Sequence, residues 1–184
     1  MTDETSVTAA APERPRAVLI GPPGAGKSTV GALLAAHWDT SFRDSDRLIE
    51  EAQGRSIPDI FVDDGEAAFR EMERSTVLDA LARGGGVLAL GGGAVLDPAV
   101  QEALAGHLVV FLDVGIADAA TRIGFEGSRP LLAVNPRASW NRLMQARRPT
   151  YEALSTVRVD TAGRQPDEVV VAVVDAVASV AGRA

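Results

Sequence analysis

The chain has 184 residues, a net charge of −7 and no cysteine. The negative balance argues against nucleic acid as the main partner, because phosphate backbones are held by Lys and Arg, and the lack of Cys excludes a disulfide framework, a thiolate metal site and a thiol nucleophile. With 46% apolar residues the chain has material for one domain with a real core, and no apolar run approaches the roughly 20 residues needed to span a bilayer. Residues 1–15 are rich in Thr, Ala, Glu and Pro and read as a disordered tail. Their start, Met1-Thr2-Asp3-Glu4, has neither the basic nor the apolar region of a signal peptide, so a cytoplasmic location is expected. Residues 16–184 then form a single domain.

Ala17-Val18-Leu19-Ile20 is a short apolar run bounded by prolines and a glycine, which predicts a buried strand. It leads into Gly21-Pro22-Pro23-Gly24-Ala25-Gly26-Lys27-Ser28-Thr29, a G-x-x-x-x-G-K-[ST] loop, and then into a predicted helix to about His37. Strand, glycine loop and helix are the context that this motif requires. Its glycines let backbone N–H groups curl around an anion, and the helix that follows presents the positive end of its dipole. Gly24, Ala25, Gly26, Lys27, Ser28 and Thr29 are therefore candidate contacts to a nucleoside triphosphate such as ATP. Lys27 would reach the outer phosphates, and the Ser28 hydroxyl would ligate Mg²⁺.

Thr40 to Arg43 predicts a second strand, followed by Asp44-Ser45-Asp46. In an extended chain, residues i and i+2 face one side, about 6.5–7 Å apart, so both carboxylates would emerge together at a strand's carboxyl end. Helix capping is the other reading, and it accounts for one Asp rather than two. From Arg47 to about Arg83 the pattern is helical, broken near Gly54, Pro58 and Gly65. Arg70 and Glu73 lie three apart on one face, and by helix pattern alone they read as a solvated ion pair.

Val87 to Leu90 is a third, wholly apolar strand that runs into Gly91-Gly92-Gly93. Three glycines there suit either bare backbone approaching a ligand or a plain turn. Asp97-Pro98 opens another helix, and Leu108 to Leu112 is a fourth buried strand. After a helical Asp118 to Arg122, residues 123–136 are glycine-rich and carry Arg129, which fits a mobile lid over a phosphate site or an ordinary surface loop. Pro136 starts a long helix, with Trp140 read as core, that ends near Arg147 to Tyr151. Val157 to Val159 alternates and reads as an edge strand, and Pro166 starts the last helix. Strands alternate with helices throughout. The expected fold is α/β, a three-layer α/β/α sandwich around a five-stranded parallel sheet of the P-loop kinase type.

Taken in order, these pieces closely resemble the shikimate kinase family over residues 16 to 182. The resemblance rests on the phosphate loop, Asp44-Ser45-Asp46, Phe69-Arg70 with Glu73, Gly91-Gly92-Gly93, Arg129-Pro130-Leu131-Leu132, and the R-x-P-x-Y run from Arg147 to Tyr151. It implies ATP-dependent phosphorylation of shikimate by a monomer, with Mg²⁺ as cofactor and no nucleic-acid or membrane partner. It implies that Asp46 holds the shikimate hydroxyls and takes the proton from the attacking one, while Asp44 helps to hold Mg²⁺. Arg70 and Arg147 would clamp the carboxylate, with the backbone at Gly92 and Gly93 against the ring. Residues of about 45–75 would be the substrate-binding helices. Arg129 would stabilise the transferring phosphoryl group, with Lys27 and Asp46 as its catalytic companions. Arg122, Arg164 and Gln165 would flank adenine. A gluconate or nucleotide kinase of this fold would not need both clamping arginines together with the triple glycine and the Asp pair. A non-catalytic ATP-binding protein would not need Lys27, Asp46 and Arg129 intact.

Overall fold

The structure is a computed structural model that describes residues 14–123 and 135–182. Residues 1–13 of the expected tail, and most of the expected lid with Arg129, lie outside the described residues. The chain runs β1 (Ala17–Ile20), α1 (Lys27–His37), β2 (Phe42–Asp44), α2 (Ser45–Gln53), α3 (Ile57–Asp63), α4 (Gly65–Arg83), β3 (Val87–Ala89), α5 (Pro98–Ala103), β4 (Val109–Asp113), α6 (Ile116–Ile123), α7 (Pro136–Leu154), β5 (Val157–Asp160) and α8 (Pro166–Ala181). A short 3-10 turn at Ala94–Leu96 follows the triple glycine.

All five strands are parallel, in the order β2-β3-β1-β4-β5. Strands β1, β3 and β4 are buried along their whole length, as a sheet with helices on both faces requires. Their apolar runs fill the core, and each fully buried Leu or Phe there contributes about 1.5–3 kcal/mol of transfer free energy. At the edge, β5 alternates buried and exposed residues, as its sequence predicts. The registers pair Asp44 with Ala89 and Ala89 with Leu19. The carboxyl ends of β2, β3 and β1 therefore share one rim. The chain crosses from one side of β1 to the other between β3 and β4, which is where open α/β sheets bind ligands.

Most boundaries shift by one or two residues from the sequence reading, and two of the differences have a clear physical cause. The second strand starts at Phe42 because the Thr40 N–H is bonded to Ala35 O, 2.9 Å, in the exit turn of α1, and the strand extends to Asp44 through its ladder partner. Helix α7 continues to Leu154 through Pro149. The proline removes one helical N–H, but Tyr151 beyond it is fully buried, and that burial outweighs the lost bond. The helical stretch after Asp46 divides as expected. Gly54 closes α2 in the left-handed conformation, Ser56 caps α3, and Gly65 opens α4.

At the carboxyl end of β4, Asp113 is a nearly buried carboxylate. It accepts from Arg148 Nη1 and Nη2, each at 2.8 Å, from Arg158 Nε and Nη2 at 3.0 and 2.6 Å, and from Val114 N at 2.9 Å. Burial alone would raise its pKa, but the two guanidinium groups outweigh that and hold it below the usual carboxylate range. A depressed native pKa favours the folded state above the ordinary Asp value, and that advantage fades as pH falls through the lower native value. Urea unfolding of the native protein and of Asp113→Asn should accordingly show a stability gap that is full above about pH 4 and shrinks below it. A gap unchanged down to about pH 2 would show that Asp113 stabilises the fold by its shape alone.

Candidate functional site

The phosphate loop is built as its motif requires. Gly24 and Gly26 have φ of +83° and +88°, which an L side chain rarely adopts, and a Cβ at Gly24 would also lie 2.9 Å from Ala119 Cα. Lys27 Nζ donates to Gly21 O at 2.8 Å and to Pro22 O at 3.1 Å, which holds the ammonium against the loop. Ser28 Oγ donates to Asp44 Oδ2 at 2.5 Å. The hydroxyl and the carboxylate thus meet although they come from different strand–helix junctions.

The Asp pair is brought together differently from the strand geometry expected of it. Asp44 ends β2, but Asp46 lies in the first turn of α2, and Asp44 Oδ1 caps that helix by accepting Asp46 N at 3.0 Å. Capping and the shared location are therefore one arrangement. Between the two, Ser45 is fully buried, and its Oγ accepts the Gly91 N–H at 2.8 Å. That bond fastens the triple glycine to the Asp pair.

At Gly91 and Gly93 there is no room for a side chain, and at Gly92 a Cβ would already touch its neighbours. A Cβ on Gly91 would collide with Asp46 Oδ1 and lie 2.8 Å from Glu73 Oε1. One on Gly92 would lie 3.5 Å from Arg147 Nη1, and one on Gly93 would collide with Arg70 Nη1 and lie 3.0 Å from its Cζ. Asp46, Glu73, Arg70 and Arg147, from α2, α4 and α7, are thereby gathered around the bare backbone of Gly91 to Gly93. The Arg70–Glu73 pair exists, at 2.7 Å, but it is not the solvated pair that the helix pattern suggests, because the Glu73 side chain is 4% exposed. Burial outweighs the pull of Arg70 and leaves the Glu73 carboxyl above its usual pKa range.

Lys27, Ser28, Asp44, Asp46 and Gly92 line one cavity of about 250 Å³. A second, of about 380 Å³, adjoins it and shares Gly26, Thr29 and Arg122. Arg164 and Gln165 line the second, as does Asp118. Arg122 donates to Thr161 Oγ1 at 2.9 Å and to Thr161 O at 2.6 Å, while Asp118 Oδ1 accepts Gly163 N at 3.1 Å. Helix α6 so holds the 161–165 loop from two successive turns. Among the described residues no group of three or more His, Cys, Asp or Glu could hold a metal. The oxygen pair at Ser28 and Asp44 fits a hard cation that takes few protein ligands and fills the rest of its shell with water and phosphate.

Sequence reasoning missed four supporting groups. Ser45 lay between two more conspicuous acids, and Asp118 was only a helix start. Trp140 is core, as read, but its indole N–H also donates to Pro23 O of the phosphate loop at 3.0 Å. Tyr151 follows Arg147 by one helical turn, and its hydroxyl donates to Gly92 O at 2.6 Å. The i, i+4 spacing within the R-x-P-x-Y run was the available signal.

Comparison with known proteins points one way. The family model described as "Shikimate kinase" matches residues 23–178. The shikimate kinase of Streptomyces coelicolor is 55% identical over 163 residues, which is 89% of this chain and 95% of that protein. Among solved structures, the shikimate kinase of Acinetobacter baumannii in complex with shikimate aligns with a TM-score of 0.83 at 32% identity, covering 92% of this chain and 95% of that one. The thymidylate kinase of Candida albicans, 14% identical with a TM-score of 0.52 over 93% of each chain, shares the fold alone.

Burial pushes the Tyr151 hydroxyl up to about 12, so it remains a neutral donor to Gly92 well past the ordinary tyrosine pKa. Tyr151→Phe should cost about 1–2 kcal/mol in urea unfolding, because Gly92 O loses its partner. Between about pH 10 and 12 the unfolded chain releases the Tyr151 proton while the native one keeps it, so the native protein loses stability there. The gap should therefore be constant up to about pH 10 and narrow above it. A gap that widens with alkali would contradict this account.

Proposed function

The chain belongs to the shikimate kinase family, and from that premise we infer that it transfers the γ-phosphoryl group of ATP to the 3-hydroxyl of shikimate, giving shikimate 3-phosphate and ADP. The observation that carries this reading is the convergence of Asp46, Arg70 and Arg147 on Gly91–Gly93, with Asp46 lining the cavity that also holds Lys27. A planar carboxylate is matched by guanidinium forks, which favours an acidic acceptor over a neutral sugar.

In this reading Arg70 and Arg147 hold the shikimate carboxylate, and the backbone of Gly92 and Gly93 lies against the ring. Asp46 orients the hydroxyl and accepts its proton as the oxygen bonds to the γ-phosphorus. The bond from that phosphorus to the β,γ-bridging oxygen breaks, and ADP leaves. The loop from Gly24 to Thr29 holds the phosphates through backbone N–H groups, and Lys27 offsets their charge. Ser28 and Asp44 would hold Mg²⁺, which when bound neutralises phosphate oxygens. Arg122, Arg164 and Gln165 border the base. Arg129, outside the described residues, takes the family's role at the transferring group from the lid of about 123–136. Positioning and charge compensation supply most of the rate, since little covalent work falls to the protein. In this reading the protein acts as a monomer, and small soluble substrates suit the cytoplasm. None of the described helices is long and apolar enough to cross a membrane.

ADP release should rise when shikimate is offered with ATP, and not with gluconate or nucleoside monophosphates. A rise with gluconate alone would refute the substrate assignment. Asp46→Asn should lower kcat about 10²–10⁴-fold while the Kd for ADP stays within about twofold. Equal loss of turnover and ADP affinity would remove the proton-accepting role.

A further inference from the structure

We propose that Asp113 and Arg148 are a positioning pair that sets the direction in which Arg147 points. The proposal rests on the reading of Arg147 as a clamp on the acceptor's carboxylate. It starts from a defect in the helix that carries that clamp. Pro149 sits inside α7, two residues past Arg147. A proline there has no N–H for the carbonyl of Gln145, and its ring crowds the preceding turn. The turn that bears Arg147 is therefore not fully held by the helix's own hydrogen bonds.

The sheet holds it instead. Neighbouring residues on a helix leave it about 100° apart, so Arg147 and Arg148 diverge. Arg147 is buried beside Gly92, whereas Arg148 reaches the end of β4. There its two terminal nitrogens meet the two oxygens of Asp113 at 2.8 Å each, a bidentate fork that fixes angle as well as distance. Asp113 is itself immobilised, with a side chain 7% exposed, by Val114 N and by Arg158 from β5. Two residues back on the same face of β4, the Phe111 ring stacks on Tyr151 with centroids 5.2 Å apart. The Arg148 guanidinium also lies 6.0 Å from that Phe111 ring. The interrupted turn is thus gripped at Arg148 and again at Tyr151, one on each side of Pro149. Arg147 has its aim fixed by this pair of anchors.

A pair that served only stability would show no preference between substrates, and Arg158 supplies the control. Arg148→Met and Arg158→Met each remove one guanidinium from Asp113, but only the first removes the fork by which α7 itself grips the sheet; Arg158, from β5, reaches α7 only through a looser, half-exposed contact with Glu152 at 3.7 Å. Steady-state kinetics on the full chain should show the KM for shikimate raised about tenfold in Arg148→Met, with kcat and the KM for ATP within about threefold. Arg158→Met should leave the shikimate KM within about twofold, and Arg148→Lys, which keeps the charge without the fork, should fall between. An unchanged shikimate KM in Arg148→Met, or an equal rise in Arg158→Met, would overturn the proposal. Arg147→Met separates the two levels. If it raises the shikimate KM while Arg148→Met does not, the positioning pair alone fails. If it leaves that KM unchanged, the site reading fails and this proposal with it.

Discussion

Bare backbone at Gly91, Gly92 and Gly93 is the constraint on which the site depends. Each position faces a charged side chain from a different direction, at Gly91 and Gly93 so closely that a Cβ would collide with it and at Gly92 in direct contact. A carboxylate from α2, a buried acid and a guanidinium from α4 and a guanidinium from α7 can meet only because that strand end carries no side chains of its own. The loop is then held by polar bonds that cost little room. Ser45 accepts the N–H of Gly91, and Tyr151 donates to the carbonyl of Gly92. Both partners are buried, where an unmatched backbone group would be costly, so the loop's conformation is specified rather than merely allowed.

The parallel sheet puts this loop beside the phosphate loop. Registers between β2, β3 and β1 bring three carboxyl ends to one rim, and no local feature of the loops could have done so. The phosphate loop is in turn tied to what surrounds it. Ala119 of α6 packs against Gly24, Trp140 of α7 holds Pro23 O, and Ser28 is bonded to Asp44. Residues around both cavities are thus coupled through short, direct contacts. Sites for phosphoryl transfer need that kind of preorganisation, because the reaction is accelerated by position and charge.

Electrostatics here is set by the balance between burial and directly bonded partners. Glu73 sits between guanidinium groups and still has its carboxyl raised, because it is nearly dry. Asp113, also nearly dry, goes the other way, because two guanidinium groups donate four hydrogen bonds to it. The net charge of −7 describes neither environment.

Fold class, strand number and the phosphate loop were legible in the sequence, since all rest on local pattern: apolar runs of strand length, glycine and proline at element ends, and a motif whose spacing is short. Arg70 shows where that legibility ended. Its helix periodicity gave a solvated pair with Glu73, and only resemblance to a family suggested more. Burial of Glu73 and the approach of Gly93 are set by residues more than fifteen positions away, and no local pattern carries them. Asp44 and Asp46 were rightly placed together but for the wrong local reason, because the chain turns into helix between them. Trp140 and Tyr151 each bond a backbone carbonyl more than fifty residues distant. Local periodicity sets which face of a segment is apolar. Which polar atom on a buried face finds a partner depends on how the sheet's register and the helices' packing bring distant backbone together, and that was decided only by the folded chain.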